Sequence, residues 1–289
     1  MLSSGSHKAN ASNVFRQDLF KGKILFCTGG RSGICYQIVE TMMSHGVDAV
    51  IVGRDAKGLA ESAQALEKST GQRCLPASAD VRDPKQMEQA VKQTIEKFGR
   101  IDFVICGAAG NFLAPISSLS TNAFKTVIDI DLLGTYNTIK ATIAHIRKSK
   151  GSYIHISATL HYRGLPYQAH VSAAKAGVDA LSSVLAVEEG PRGVRSNVIA
   201  PGPIGNTEGM SRLTPKGWKP ENDIPLGRMG NTSDIANAAV FLFSPAASYI
   251  TGTITVVDGG EHHIRQMSLP YPQSLLDPES VKNLIKGKL

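Results

Sequence analysis

The stretch Lys23-Ile24-Leu25-Phe26-Cys27-Thr28-Gly29-Gly30-Arg31-Ser32-Gly33-Ile34-Cys35 decides the fold. An apolar run, Lys23–Cys27, breaks into a glycine-rich turn, and the turn opens a segment whose apolar residues recur at helical spacing. Glycines let the backbone turn sharply there and bring its amides close to an anion at the N-terminus of the following helix. Any tight strand-to-helix connection uses glycine, so the turn by itself is a weak signal. Its place, directly after a first strand and before a periodic helix, makes it the opening of a dinucleotide-binding βαβ unit. Gly29, Gly30, Arg31, Ser32, Gly33 and Ile34 are therefore candidate cofactor-binding residues.

The same alternation continues outward. Further strands are expected at Asp48–Val52, Arg73–Ala77, Phe103–Cys106, Ser152–Ile156, Ser196–Ile199 and Ile254–Val257. Between them lie segments of helical period, such as Lys85–Phe98 with apolar Met87, Ala90, Val91, Ile95 and Phe98, and the long stretches Asn122–Lys148 and Gln168–Glu189. Strands alternating with helices at this spacing give an α/β protein: a Rossmann-type doubly wound sheet of about seven parallel strands with helices on both faces. Neither an internal repeat nor an interdomain linker interrupts it. We expect one domain over 18–264 with a small lid near 205–228, a Ser/Asn-rich flexible tail over 1–17, and a C-terminal extension over 265–289.

Composition excludes several other classes. The chain has 289 residues, of which 42% are hydrophobic and 19% charged, enough for a packed core and against global disorder. No apolar run approaches the roughly 20 residues that span a bilayer, so membrane insertion is not expected. Four cysteines without a CxxC pair do not form a disulfide scaffold or a zinc ribbon, and His262-His263 lacks the acidic or sulfur company of a metal site. Lys and Arg number 31 against 24 Asp and Glu, a formal charge of +7 spread along the chain. Nucleic-acid binders concentrate such charge on one stripe, so a polyanionic metabolite is the better partner.

The second strand ends Val52-Gly53-Arg54-Asp55. An acid at this end holds the ribose hydroxyls of NAD, whereas an arginine accommodates the extra phosphate of NADP. Gly53 stands at the acid's place and Arg54 follows, so NADP is favoured, with Arg31 also within the loop and Asp55 read as a helix N-cap. The loop resembles the TGxxxGxG turn of the short-chain dehydrogenases/reductases, with Cys35 in place of the third glycine. That resemblance implies an adenine contact at Asp80-Val81. It also aligns Cys106-Gly107-Ala108-Ala109-Gly110 with the family's NNAG turn, and Pro201, Gly202, Pro203, Ile204 and Thr207 with its PGxxxT loop beside the nicotinamide.

At the reactive end the pattern breaks. The short-chain family sets a Tyr and a Lys on one helix face, a Ser thirteen residues before the Tyr, and an Asn in a preceding helix. Here Lys175 is kept, but Val171 takes the place of Tyr, Ala158 that of Ser and Asp131 that of Asn. A valine has no proton to give, so reduction of a simple ketone loses its general acid. Conjugate reduction does not need one: hydride adds to the far end of a conjugated system, and donors stabilise the charge that develops on a thioester oxygen.

Gly107–Phe112, Leu119–Val127, Asp129-Ile130-Asp131, Pro201–Gly209 and Ser244–Tyr249 are similar to the peroxisomal 2,4-dienoyl-CoA reductases, which share the missing Tyr and Ser. The resemblance implies NADPH-dependent reduction of 2,4-dienoyl-CoA to trans-3-enoyl-CoA, an auxiliary step in the β-oxidation of unsaturated fatty acids. Asp131 would move a proton, through water, and Lys175 would sit beside it on the nicotinamide ribose. CoA contacts fall on Arg54, Arg82, Phe112, Ser120, Thr121, Asn122 and Arg212. A homo-oligomer is implied as well. The final Gly287-Lys288-Leu289 is similar to a receptor-read peroxisomal address, with glycine where serine is usual. Two other readings stand beside this one: a carbonyl or alcohol oxidoreductase of the same fold, and an NADP-binding scaffold or sensor without chemistry. His170, next to the vacant tyrosine position, points about 100° away from it and is expected to act from behind the site or from the surface.

Overall fold

The computed structural model describes residues 15–207, 209–210, 217–264 and 273–277. Seven short strands form one wholly parallel sheet: β1 (Ile24–Thr28), β2 (Asp48–Gly53), β3 (Cys74–Ser78), β4 (Phe103–Cys106), β5 (Ser152–Ile156), β6 (Arg195–Pro201) and β7 (Ile254–Val257). Their order is β3-β2-β1-β4-β5-β6-β7, so the chain reverses direction across the sheet between β1 and β4. Open parallel sheets bind ligands at such a switch point, outside the carboxyl ends of the strands. Each expected strand is present within a few residues of its bounds.

Every residue of β1, β4 and β5 is buried, as both faces of the sheet are covered. Helices α1 (Gly33–Ser44), α2 (Ala56–Thr70) and α7 (Thr232–Phe243) pack on one face around Leu25, Ile51, Phe103 and Ile199. Helices α3 (Pro84–Phe98), α5 (Gly134–Ser149) and α6 (Ala169–Glu189) pack on the other around Phe26, Val50, Val104 and Tyr153. Local chemistry sets their ends. Asp55 accepts from the Gly58 amide to cap α2, and Asp83, followed by Pro84, caps α3. Gly71 and Gly99 close those two helices in the left-handed conformation. Among the described residues no helix is long and apolar enough to cross a membrane.

Two expectations change. The stretch Asn122–Lys148 is not one helix: α4 (Thr121–Ile128) runs into a π-helical turn, Asp129–Leu133, before α5 begins at Gly134. The π turn spans only five residues, too short a stretch for periodicity alone to reveal. Packing also reaches back into the expected tail, where Phe15 meets His45 edge-on and the Arg16 carbonyl lies 2.9 Å from His45 Nδ1. Of the expected extension over 265–289, Gln273–Leu276 is a single helical turn (α8), and Gly287-Lys288-Leu289 lies outside the described residues.

Candidate active site

A cleft of about 460 Å³ opens at the switch point, between the carboxyl ends of β1 and β4. Thr28 builds its floor. Its hydroxyl donates to the Ile105 carbonyl at 3.3 Å and accepts from the amides of Gly107 (3.1 Å) and Ala108 (3.4 Å), so the turns after β1 and β4 are tied together. Gly29, at φ +75°, lets them touch: a Cβ there would lie 2.7 Å from the Gly107 carbonyl oxygen. Helix α1 then starts without a side-chain cap and without an acid in its first turn, so its leading amides face the cleft unopposed. Such an end attracts a phosphate. This cradle fits the pyrophosphate of a dinucleotide.

Cys35, in the place of the third glycine, fills a gap. Its sulfur occupies the space beside Gly107, where a Cβ would come within 2.1 Å of Sγ. The short-chain pattern writes asparagine at position 107; here glycine stands opposite the larger residue of α1. Burial raises the thiol of neighbouring Cys106 well above its ordinary range, and all four cysteines are free and buried. They are packing groups.

At the adenosine end, Gly53 leaves the space of the missing acid open, and Arg54 is exposed with no ion pair among the described residues. Arg31 is instead drawn toward Asp55, at 3.4 Å. The Arg82 guanidinium grips both oxygens of Asp80 and holds its carboxyl below the usual range. Val81 fits against Gly134, where a Cβ would fall 2.5 Å from Val81 Cγ2, and Asn137 holds its carbonyl at 2.9 Å. That contact anchors the π turn.

The π turn delivers Asp131 into the cleft, fully buried. Its Oδ1 accepts from the Gly110 amide at 2.7 Å, and its Oδ2 lies 3.1 Å from Lys175 Nζ. Lys175, itself 6% exposed, also donates to the Ile156 carbonyl at 2.9 Å. A buried ion pair held by two further hydrogen bonds is the charged centre of the site. Val171 is buried beside it in an apolar cluster with Val127 and Ala174, joined by Ile128 and Leu160. No tyrosine lines the cleft among the described residues.

The fold and this geometry set the chain among known proteins. Residues 29–262 match the family model described as enoyl-(acyl carrier protein) reductase. The peroxisomal 2,4-dienoyl-CoA reductase, (3E)-enoyl-CoA-producing, of Saccharomyces cerevisiae is 54% identical over 255 residues, covering 86% of this chain and 87% of that protein. The enzyme of the same name from Danio rerio is 47% identical, over 86% and 84% respectively. The chain belongs to the 2,4-dienoyl-CoA reductases of the short-chain dehydrogenase/reductase family. Among solved structures, a short-chain dehydrogenase from Bacillus anthracis superposes with a TM-score of 0.77 at 37% identity, covering 86% of this chain and 99% of that one. Levodione reductase gives 0.80 at 30% identity, over 85% and 100%. As in that family, the cleft is built for a nicotinamide dinucleotide.

With this dienoyl-CoA reductase chain in view, the candidate residues sort by position. Gly29, Arg31, Ser32, Gly33, Ile34, Arg54, Asp80, Val81, Asp131, Lys175 and Thr207 line the cleft. Gly30, Pro201, Gly202, Pro203 and Ile204 shape it from behind: a Cβ on Gly30 would meet Ile51 at 2.7 Å, and Gly202 packs on Asp258. The Pro203–Gly205 stretch is pinned by reciprocal bonds to Gly230 at 2.9 Å. Arg82 is engaged with Asp80 at the rim, Phe112 is 38% exposed, and Ser120, Thr121 and Asn122 stand exposed at the start of α4, where Ser120 accepts from the Ala123 amide. Arg212 lies outside the described residues. Two cleft residues with unpartnered polar atoms were not among the candidates. Ser157 is buried with a free hydroxyl, and Asn111 has an unpartnered side-chain oxygen. Counting thirteen back from Val171 arrives at Ala158, one residue past Ser157, and so misses the hydroxyl.

Proposed function

We propose that the chain reduces 2,4-dienoyl-CoA thioesters to the trans-3-enoyl-CoA, the product its relatives are named for, and that it does so with NADPH. The observation that carries this is the buried Asp131–Lys175 pair beside Val171. The centre can move a proton and hold charge, yet it offers no phenol to a ketone oxygen. A nicotinamide held in the cleft would supply the hydride. The amides that open α1 hold the pyrophosphate, and Arg54, exposed and without an ion pair among the described residues, takes the ribose phosphate that separates NADPH from NADH.

The remaining work falls to side chains of this protein. Gly110 fixes Oδ1 of Asp131, which leaves Oδ2 and the Lys175 ammonium facing the space where the proton must travel. Asp131 is the relay, passing a proton to carbon through water. Val171 and its apolar neighbours exclude other water from that space. Arg82, Phe112 and the Ser120–Asn122 end of α4 form the rim on which CoA lies, with Arg212 assigned to it as well. The compartment is the peroxisome, as for the yeast and zebrafish relatives, with import through Gly287-Lys288-Leu289 and a homo-oligomeric assembly as part of the same proposal.

Purified protein should oxidise NADPH with hexadienoyl-CoA, give a 3-enoyl product by NMR, and ignore simple ketones. Turnover of a ketone without the dienoyl thioester would overturn the assignment. Intact NADPH binding with no turnover of either substrate would make the chain a binding protein.

A further inference from the structure

His170, the second residue of α6, is fully buried, and neither ring nitrogen has a hydrogen-bond partner among the described residues. That is an expensive arrangement. A neutral imidazole carries one donor and one acceptor, and each buried group left unmet carries its full desolvation penalty. Folded proteins leave few such groups unless something outside the chain completes them.

The surroundings indicate where the missing partner sits. The imidazole packs against the Phe112 ring, centroids 4.2 Å apart and planes tilted by 53°, on the segment that runs from cleft-lining Gly110 and Asn111. Burial holds the ring neutral, outweighing the Phe112 main chain and the Asp131 carboxylate, which both favour the proton. Both are thus close enough to be felt. Two more buried polar atoms in the same condition, Asn111 Oδ1 and Ser157 Oγ, belong to the wall of the reacting centre, and Gln168 Oε1 lies just before His170 on the chain. Asn111 and Ser157, from the turn after β4 and the end of β5, line the cleft together with Val171 of α6, and His170 stands next to Val171 on the chain and against Phe112. An apolar residue would pack on Phe112 without this penalty.

We propose that His170 is a thioester-binding residue, donating an N–H from its neutral imidazole to the substrate's carbonyl oxygen as negative charge builds there. This rests on the reading that the cleft takes a dienoyl-CoA. His170 does not replace the missing phenol, because it gives up no proton; it is a fixed donor aimed at the oxygen while Asp131 serves the carbon. Neither nitrogen meets hydrogen-bond geometry with a group among the described residues, although the Phe112 main chain lies near enough to compete with the ligand for the N–H. Removal of one donor of this kind typically costs about 100-fold or more in turnover.

The experiment is difference infrared spectroscopy of hexadienoyl-CoA, labelled with carbon-13 at the thioester carbonyl, bound to the protein with NADP⁺. In wild type the carbonyl stretch should fall to lower frequency than in free thioester. In H170F, which keeps a ring against Phe112 but has no donor, it should return to the free value. Turnover of H170F should drop about 100-fold with NADPH affinity unchanged, and H170Q, which restores an N–H, should recover part of it. An unchanged stretch and near-normal turnover in H170F overturn the proposal. Should H170F fail to fold, the imidazole nitrogen-15 resonances of wild type decide: they must shift when the thioester binds, and resonances that stay in place overturn the proposal. Failure of wild type to bind the thioester at all would instead remove the substrate reading on which the proposal stands.

Discussion

Gly107→Ala is the sharpest perturbation of the cofactor cleft that leaves its chemistry untouched. An alanine Cβ at 107 would lie 2.1 Å from Cys35 Sγ, 3.1 Å from the Thr28 carbonyl oxygen and 3.4 Å from Ile156 Cγ1. The first distance is far inside contact, and Cys35, 4% exposed on α1, has no free space to turn into. Either the sulfur leaves its rotamer or α1 lifts from the sheet. Overpacking of this kind costs about 1–3 kcal/mol, and a clash so deep belongs at about 3. Cys35→Ala alone deletes one buried heavy atom and should cost about 1 kcal/mol. In the double variant the new methyl occupies the volume the sulfur leaves, and only the Thr28 carbonyl stays a few tenths of an ångström tight. Its cost should be about 1–2 kcal/mol instead of the additive 4, a coupling of about 2–3. Urea unfolding of the four proteins, followed by circular dichroism, measures the cycle. In thermal unfolding each kcal/mol should appear as about 2–4 °C. A coupling energy within about 0.5 kcal/mol of zero would mean that Cys35 and Gly107 do not share this space.

Asp131→Asn keeps an acceptor for the Gly110 amide but removes the charge facing Lys175; turnover of dienoyl-CoA should fall about 100-fold or more while NADPH affinity holds, and an unchanged rate would take Asp131 out of the proton path. Arg54→Ala should raise the KM for NADPH by about 10–100-fold, the worth of a charge-assisted hydrogen bond, and leave that for NADH alone; an equal rise for both cofactors would detach Arg54 from the phosphate. Burial pushes the His155 imidazole down to about 3 from 6.5. The unfolded chain therefore takes up this proton first as pH falls, so the stability it protects is complete above pH 6.5 and lost progressively toward 3. Between pH 6.5 and 5 the loss should be about 2 kcal/mol, seen as a shift in urea midpoint, and His155→Asn should flatten that slope by one proton's worth.

Much of the architecture was legible because it follows from short-range chemistry. Strands buried on both faces read as continuous apolar runs, which is why β4, Phe103–Cys106, coincides with its expected bounds. Asp55 reads as a cap in the sequence and does open α2. What stayed hidden depends on contacts between distant segments. The π turn at Asp129–Leu133 is held by Val81 packing on Gly134, across more than fifty residues, and no period in the sequence records that contact. Ser157 escaped because the count of thirteen back from Val171 lands on Ala158, and the residue beside it is placed in the cleft only by the fold. Cys35 and Gly107 each looked like an isolated departure from a pattern, and only their shared volume makes them one feature.

The departures at the reacting centre also form one arrangement, and charge explains why. Lys175 is almost without solvent, and a buried ammonium needs either a counter-ion or a full set of acceptors. Valine at 171 supplies neither, and the Ile156 carbonyl meets only one of the three donors. An asparagine at 131 would leave the positive charge uncompensated beside Val127, Ala174 and Leu160, in surroundings where a missing partner typically costs about 3–5 kcal/mol. Aspartate closes the account, but only if its carboxylate reaches Nζ, and the extra residue of the π turn is what carries it there while Gly110 holds the other oxygen. Loss of the phenol, gain of the carboxylate and the widened helical turn are thus mutually dependent. Together they leave a buried charged centre in a cleft that no tyrosine lines among the described residues.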